Sequence, residues 1–135
     1  MKAVQGSCLC GDVAFEITGP ALRAVHCHCV RCRKARGSAT AANLVVGIDG
    51  LRFTRGTELL TSYKVPDAKY FTHTFCKACG SSMPRVDEAR GIVVIPMGSL
   101  DDDPGVRPMG HIFVDSKAPW HEIHDDLPRF GGPPT

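Results

Sequence analysis

No stretch of this 135-residue chain approaches the roughly 20 consecutive apolar residues that a membrane-spanning helix needs. Segment 1–20 also lacks a long apolar run, which predicts no signal peptide and a cytoplasmic location. An excess of charge is missing too: 16 basic and 14 acidic side chains leave a formal net charge of +2. With no basic tail, that balance argues against nucleic acid as a partner. There is no internal repeat outside the cysteine clusters, and little helical periodicity. Nothing marks a second domain, so the length reads as one domain over 1–135 with a core of ordinary size.

What is present is a series of short β-type segments. Val13, Phe15 and Ile17 alternate with polar residues across 12–18, and Phe71, His73 and Phe75 do the same across 69–75. Strands are also expected at 40–48, 51–54, 59–65, 91–95 and 111–114, from β-branched content and turn residues between them. One short helical turn is expected from Val30 through Arg36, stopped by Gly37. The chain therefore reads as mainly β. A tail rich in proline and glycine, from about residue 126, is expected to fray.

Seven cysteines fall in three clusters: Cys8-x-Cys10, Cys27-x-Cys29-x-x-Cys32 and Cys76-x-x-Cys79. In a reducing compartment such clusters read as metal or catalytic sites, and an odd number cannot pair fully into disulfides. They sort into four plus three. Two pairs, each next to a glycine (Gly11, Gly80) that lets the backbone curl, can close one tetrahedral structural zinc site. The competing reading of Cys76-x-x-Cys79 is a redox dithiol, but Gly80, Ser81, Ser82 and Pro84 oppose the helix that motif needs. If the strands beside the two pairs are neighbours, the pairs meet.

Cys27, Cys29 and Cys32 supply three thiolates and leave a fourth position on a metal. A substrate thiol arriving there would lose its proton readily and could attack a small aldehyde. Two alternatives stay open. His26, His28 or His73 could complete a closed site, or the triplet could be unmetallated buried thiols. Arg31, Arg33, Lys34 and Arg36 surround the triplet, either as a solvated basic turn or as contacts for a carboxylate-bearing thiol, with Arg33 and Lys34 the named candidates. Asp101 to Asp103 read as a solvated loop, and Trp120 as packing.

The segments from Gly6 to Val13, from Cys27 to Lys34 and from Phe75 to Gly80, with Gly98 to Asp101 and Ser116 to Trp120, resemble the glutathione-dependent formaldehyde-activating enzyme family, which also includes centromere protein V. The resemblance runs from Gly6 to about Phe130. It implies an Mss4-like (β-tent) zinc-binding fold. It implies a structural zinc at Cys8, Cys10, Cys76 and Cys79, and a catalytic-type zinc at Cys27, Cys29 and Cys32. The implied activity is that of a carbon–sulfur lyase, condensing glutathione with formaldehyde to S-hydroxymethylglutathione. A non-catalytic zinc module that binds or carries such thiols is the alternative. A small-molecule thiol is the expected partner in both cases, with no nucleic acid and no membrane.

Overall fold

A strand that is apolar at alternate positions buries one face, so short alternating segments must assemble into sheets that pack on one another. The computed structural model describes residues 2–133, and ten strands and one α-helix lie among them. In chain order these are β1 (Val4–Ser7), β2 (Ala14–Ile17), β3 (Ala21–Cys27), α1 (Val30–Arg36), β4 (Ala41–Gly47), β5 (Leu51–Arg55), β6 (Leu60–Lys64), β7 (Thr72–Cys76), β8 (Arg85–Asp87), β9 (Ile92–Pro96) and β10 (His111–Ile112). They form a three-stranded sheet in the order β1-β2-β5, a five-stranded sheet in the order β10-β3-β4-β9-β8, and a hairpin of β6 and β7. All pairings are antiparallel except β10 with β3.

Strand β4 organises the layers. It reads Ala-Ala-Asn-Leu-Val-Val-Gly, apolar on both parities, and is covered on both faces. Leu44 and Val46 join Phe15, Ile17, Ala24, Val93 and Ile95 in the core under the three-stranded sheet. Asn43 and Val45 turn the other way and line a cavity together with Val25 of β3 and Val94 of β9. Phe15 is fully buried, and a Cβ placed on Gly6 would stand 2.2 Å from its ring, so only glycine lets β1 approach β2 there.

The helix and the strands at 12–18, 40–48, 51–54, 59–65, 69–75, 91–95 and 111–114 form where the patterning places them, with strand ends shifted by up to three residues. Gly37 ends α1 in the left-handed region at φ 60°. Three strands were not legible: β1, β8 and, most consequentially, β3. Its sequence Ala-Leu-Arg-Ala-Val-His-Cys has little β preference. It becomes a strand because it pairs with β4 from Ala21↔Val46 to Cys27↔Ala41.

Part of the tail expected to fray is paired. His111 N donates to Pro128 O and Phe130 N donates to His111 O, each at 2.8 Å, so the tail runs alongside β10. Backbone pairing to a buried strand outweighs the local proline and glycine content. The last two tail residues, 134 and 135, lie outside the described residues. Trp120 is 69% exposed, against the expectation that it packs.

Candidate metal centres

The four-cysteine set forms where two sharp turns meet. Cys8 and Cys10 follow β1, and Gly11 takes φ +83°. Cys76 ends β7, and Gly80, just past Cys79, takes φ +80°. Both glycines occupy the backbone region that side chains disfavour, so the curl expected beside each pair is present. The strands beside the pairs are not neighbours, yet the pairs meet: β2 lies in the three-stranded sheet and β7 in the hairpin. The path between them runs through β5 and β6, and Lys77 N donates to Leu59 O just ahead of β6. Ser81 ties the two turns directly, accepting from Leu9 N at 2.8 Å and lying 3.2 Å from Cys79 Sγ.

These sulfurs have the spacing a tetrahedral ion requires. Four sulfurs about 2.3 Å from a zinc ion stand about 3.8 Å from one another. Cys8 and Cys10 Sγ are 3.5 Å apart, and Cys10 and Cys76 Sγ are 3.9 Å apart. All four lie within 4.8 Å of one another. The hydroxyl and amide of Ser81 hold the Cys79 thiol down to about 5, so a ligand anion is already favoured.

The three-cysteine set is built by the end of β3 and the start of α1. Cys27 is the last residue of β3. Cys29 caps the helix, its Sγ accepting from Cys32 N at 3.3 Å. Cys32 sits one turn in, and Asn43 of β4 approaches its sulfur at 3.9 Å. Thr40 donates to Cys27 O at 3.0 Å and so braces the backbone. The three sulfurs lie within 4.8 Å of one another, and no further His, Cys, Asp or Glu among the described residues joins them. His26, His28 and His73 are not in the set, so the closed Cys₃His alternative does not form.

The triplet shares protons among crowded thiols. Hydrogen bonds from Cys27 and Cys32 hold Cys29 far below the ordinary thiol range, while the Cys29 and Cys32 contacts and burial push Cys27 up. Three sulfurs this close do not all ionise without a cation between them. A soft dication removes that restriction, so the donor set fits a metal.

A cavity of about 410 Å³ opens onto these sulfurs. Val25, Val45, Val94, Ile112, Phe71 and Phe113 give it apolar walls, and Arg23, Arg31, Lys69, Arg85 and Arg90 give it a cationic lining. No acidic side chain among the described residues lines it. Two of the cations are already matched. Arg31 lies 3.6 Å from Asp67, and Arg90 lies 2.6 Å from Asp87 while covering the Tyr70 ring at 4.3 Å. Arg85 stacks on Phe71 at 4.9 Å, and the Nε of Arg23 is buried with no hydrogen-bond partner among the described residues. Burial pulls Arg85 down and the Cys32 sulfur pulls it back up, the sign expected of a cation poised beside thiolate.

The basic residues picked from sequence are only partly at this cavity. Arg31 lines it. Arg33 and Lys34 do not: Arg33 donates to Ser116 O at 3.0 Å, and Lys34 belongs to the last turn of α1. Arg36 is held by Asn43 Oδ1 at 2.8 Å. The other cations lining the cavity come from β3, the stretch before β7, and the β8–β9 hairpin. They were missed because they are far from the triplet in sequence and carry no local motif. His73 lies on β7, stacked on Phe75 at 5.0 Å, and burial lowers its pKa.

Comparison with known proteins adds the family. The family model described as glutathione-dependent formaldehyde-activating enzyme matches residues 3–116. The chain belongs to that family. Its fold is accordingly mainly β and Mss4-like. A solved protein of Rhodobacter sphaeroides is similar, with a TM-score of 0.59 and 29% sequence identity, over 77% of this chain and 91% of that one. No match was found among curated proteins. No helix among the described residues is long and apolar enough to cross a membrane.

Proposed function

We propose that this chain is a zinc-dependent carbon–sulfur lyase-type enzyme that joins glutathione, or a similar anionic thiol, to formaldehyde or another small aldehyde. One observation carries this reading: a three-sulfur set lies at a cavity that, among the described residues, is lined by five cationic side chains and no acid. Cys27, Cys29 and Cys32 would hold a catalytic-type ion, and Cys8, Cys10, Cys76 and Cys79 a structural one. Bound at the triplet, zinc supplies Lewis acidity that favours the thiolate form of an incoming thiol.

The remaining work falls to the chain. Among the described residues Arg23 and Arg85 form no ion pair with a carboxylate, and they would take the ligand's carboxylates, for which guanidinium offers a bidentate fork. The valine and phenylalanine walls limit water at the reacting atoms. In the reaction the sulfur–carbon bond forms, the carbonyl π pair moves to oxygen, and the proton lost by sulfur is returned to that oxygen through water. No oxidant or reductant is consumed. A cytoplasmic setting suits the seven free cysteines.

The test is the rate of S-hydroxymethyl adduct formation from glutathione and formaldehyde, followed by NMR exchange, together with zinc content. Two zinc ions per chain and a rate above the spontaneous one, lost in Cys27→Ser, are expected. Product formation no faster than the uncatalysed reaction would leave a thiol-binding module in place of an enzyme.

A further inference from the structure

The cysteine chemistry uses one face of β3, and a buried histidine relay occupies the other. Val25 and Cys27 face the cavity, so alternation turns His26 away from it, and His28 follows. Strand β10 runs parallel to β3 with His111 opposite His26 and Ile112 opposite Cys27. Ile112 therefore lines the cavity while His111 stacks on His26 at 5.0 Å.

His28 is completely buried, and its Nε2 lies 2.8 Å from Nδ1 of His111. Nε2 of His111 lies 3.0 Å from both carboxylate oxygens of Asp125. An ionised carboxylate only accepts, so Nε2 of His111 carries the proton and donates it. In neutral His111, Nδ1 must then accept, and Nε2 of His28 donates. Asp125 is fixed in turn, accepting from Leu127 N at 3.0 Å in the tail segment that pairs with β10. The relay ends at the residue between Cys27 and Cys29, whose amide donates to Ile112 O at 3.0 Å. These histidines are not themselves a metal site: among the described residues the only sets that converge closely enough are the two cysteine groups. Asp125 lies beyond residues 3–116, the stretch the family model matches.

We propose that Asp125 and His111 are positioning residues for the three-cysteine site. The carboxylate selects the His111 tautomer, His111 fixes the His28 ring, and His28 holds the backbone from Cys27 to Cys29 at the spacing the sulfurs need. The tail thus stabilises the site from the face opposite its cavity.

The test compares the full-length wild type with Asp125→Ala and Asp125→Asn. Asparagine keeps the oxygen that accepts from Leu127 but sets an N–H donor in place of the second carboxylate oxygen facing His111, and alanine removes both contacts. Amide hydrogen exchange at His28 is expected to accelerate roughly tenfold in both variants, with β4 and β9 unchanged, because an amide no longer selects the His111 tautomer even where the Leu127 contact is kept. Loss of one zinc of two to a chelating competitor should accelerate by a similar factor, in line with the roughly 10–100-fold effect of disturbing groups that orient ligands. The proposal is overturned by unchanged exchange at His28, by faster exchange spread equally over β4 and β9, or by wild-type protection in the asparagine variant. The metal arm rests on the proposed zinc function and the exchange arm does not. A wild type that binds a single zinc would sink that function while exchange still decides the relay.

Discussion

The two cysteine sets share a ligand type and differ in everything around it. The four-sulfur set sits where two turns cross, tied by Ser81, and its sulfurs already stand at tetrahedral spacing. The three-sulfur set sits between a strand end and a helix start, with a cationic cavity in front and a histidine relay behind. A complete donor set makes a cross-link between sheets. An incomplete one beside a cavity leaves a position for a ligand. Sulfur count alone suggests this division, and the surroundings give it chemical content.

The largest contrast is in stability. Structural zinc sites contribute roughly 10–16 kcal/mol in small peptides, comparable to the whole stability of a domain. Cys76→Ser is therefore expected to abolish the cooperative thermal transition. Cys27→Ser should keep the fold with a melting temperature lower by only a few degrees. Equal losses in the two variants would end the distinction between clip and working site.

A smaller effect separates the cations that face the triplet from those that merely follow it in sequence. Hydrogen bonds to charged groups contribute about 1.5–3 kcal/mol, so Arg85→Ala should raise the KM for glutathione roughly tenfold or more. Arg33→Ala should change it by less than about twofold, since Arg33 is bonded to Ser116 and does not line the cavity. The reverse ranking would return the carboxylate contact to the helix.

The smallest effect tests the cavity rim by pH. Burial opposes ionisation of Asp87, but the Arg90 side chain and amide hold its carboxyl below the ordinary range. A lowered folded pKa stabilises above the unfolded value of about 3.9 and fades as pH falls through the folded one. Asp87→Asn should thus lose about 1 kcal/mol at neutral pH. The gap from wild type should close in acid, as read from chemical denaturation across pH. Zinc retention at the four-cysteine site should not change.

The cysteine clusters were legible because close spacing leaves little freedom: cysteines two or three positions apart readily bring their sulfurs together. Alternation likewise exposed β2 and β7, and β-branched content between turn residues exposed β4 and β9. The pairing of Cys8 and Cys10 with Cys76 and Cys79 was legible as a possibility of number, but not its route through β5 and β6. Strand β3 was hidden, since Ala-Leu-Arg-Ala prefers no strand and yields to β4 beside it. Arg33 and Lys34 were chosen for nearness in sequence, yet a helix turns successive side chains by about 100°, so neighbours of Cys32 need not share its face.

By itself the sequence determined a mainly β chain with two sulfur sites of unequal completeness, because those features follow from local period and spacing. Only the tertiary structure decided which cations face the triplet, where the histidines go and what becomes of the tail. Arg23, Arg85 and Arg90 reach one cavity, and Asp125 reaches His111, through sheet pairing between distant segments. No local pattern encodes such contacts, because each depends on the register of strands that meet only when the whole core closes.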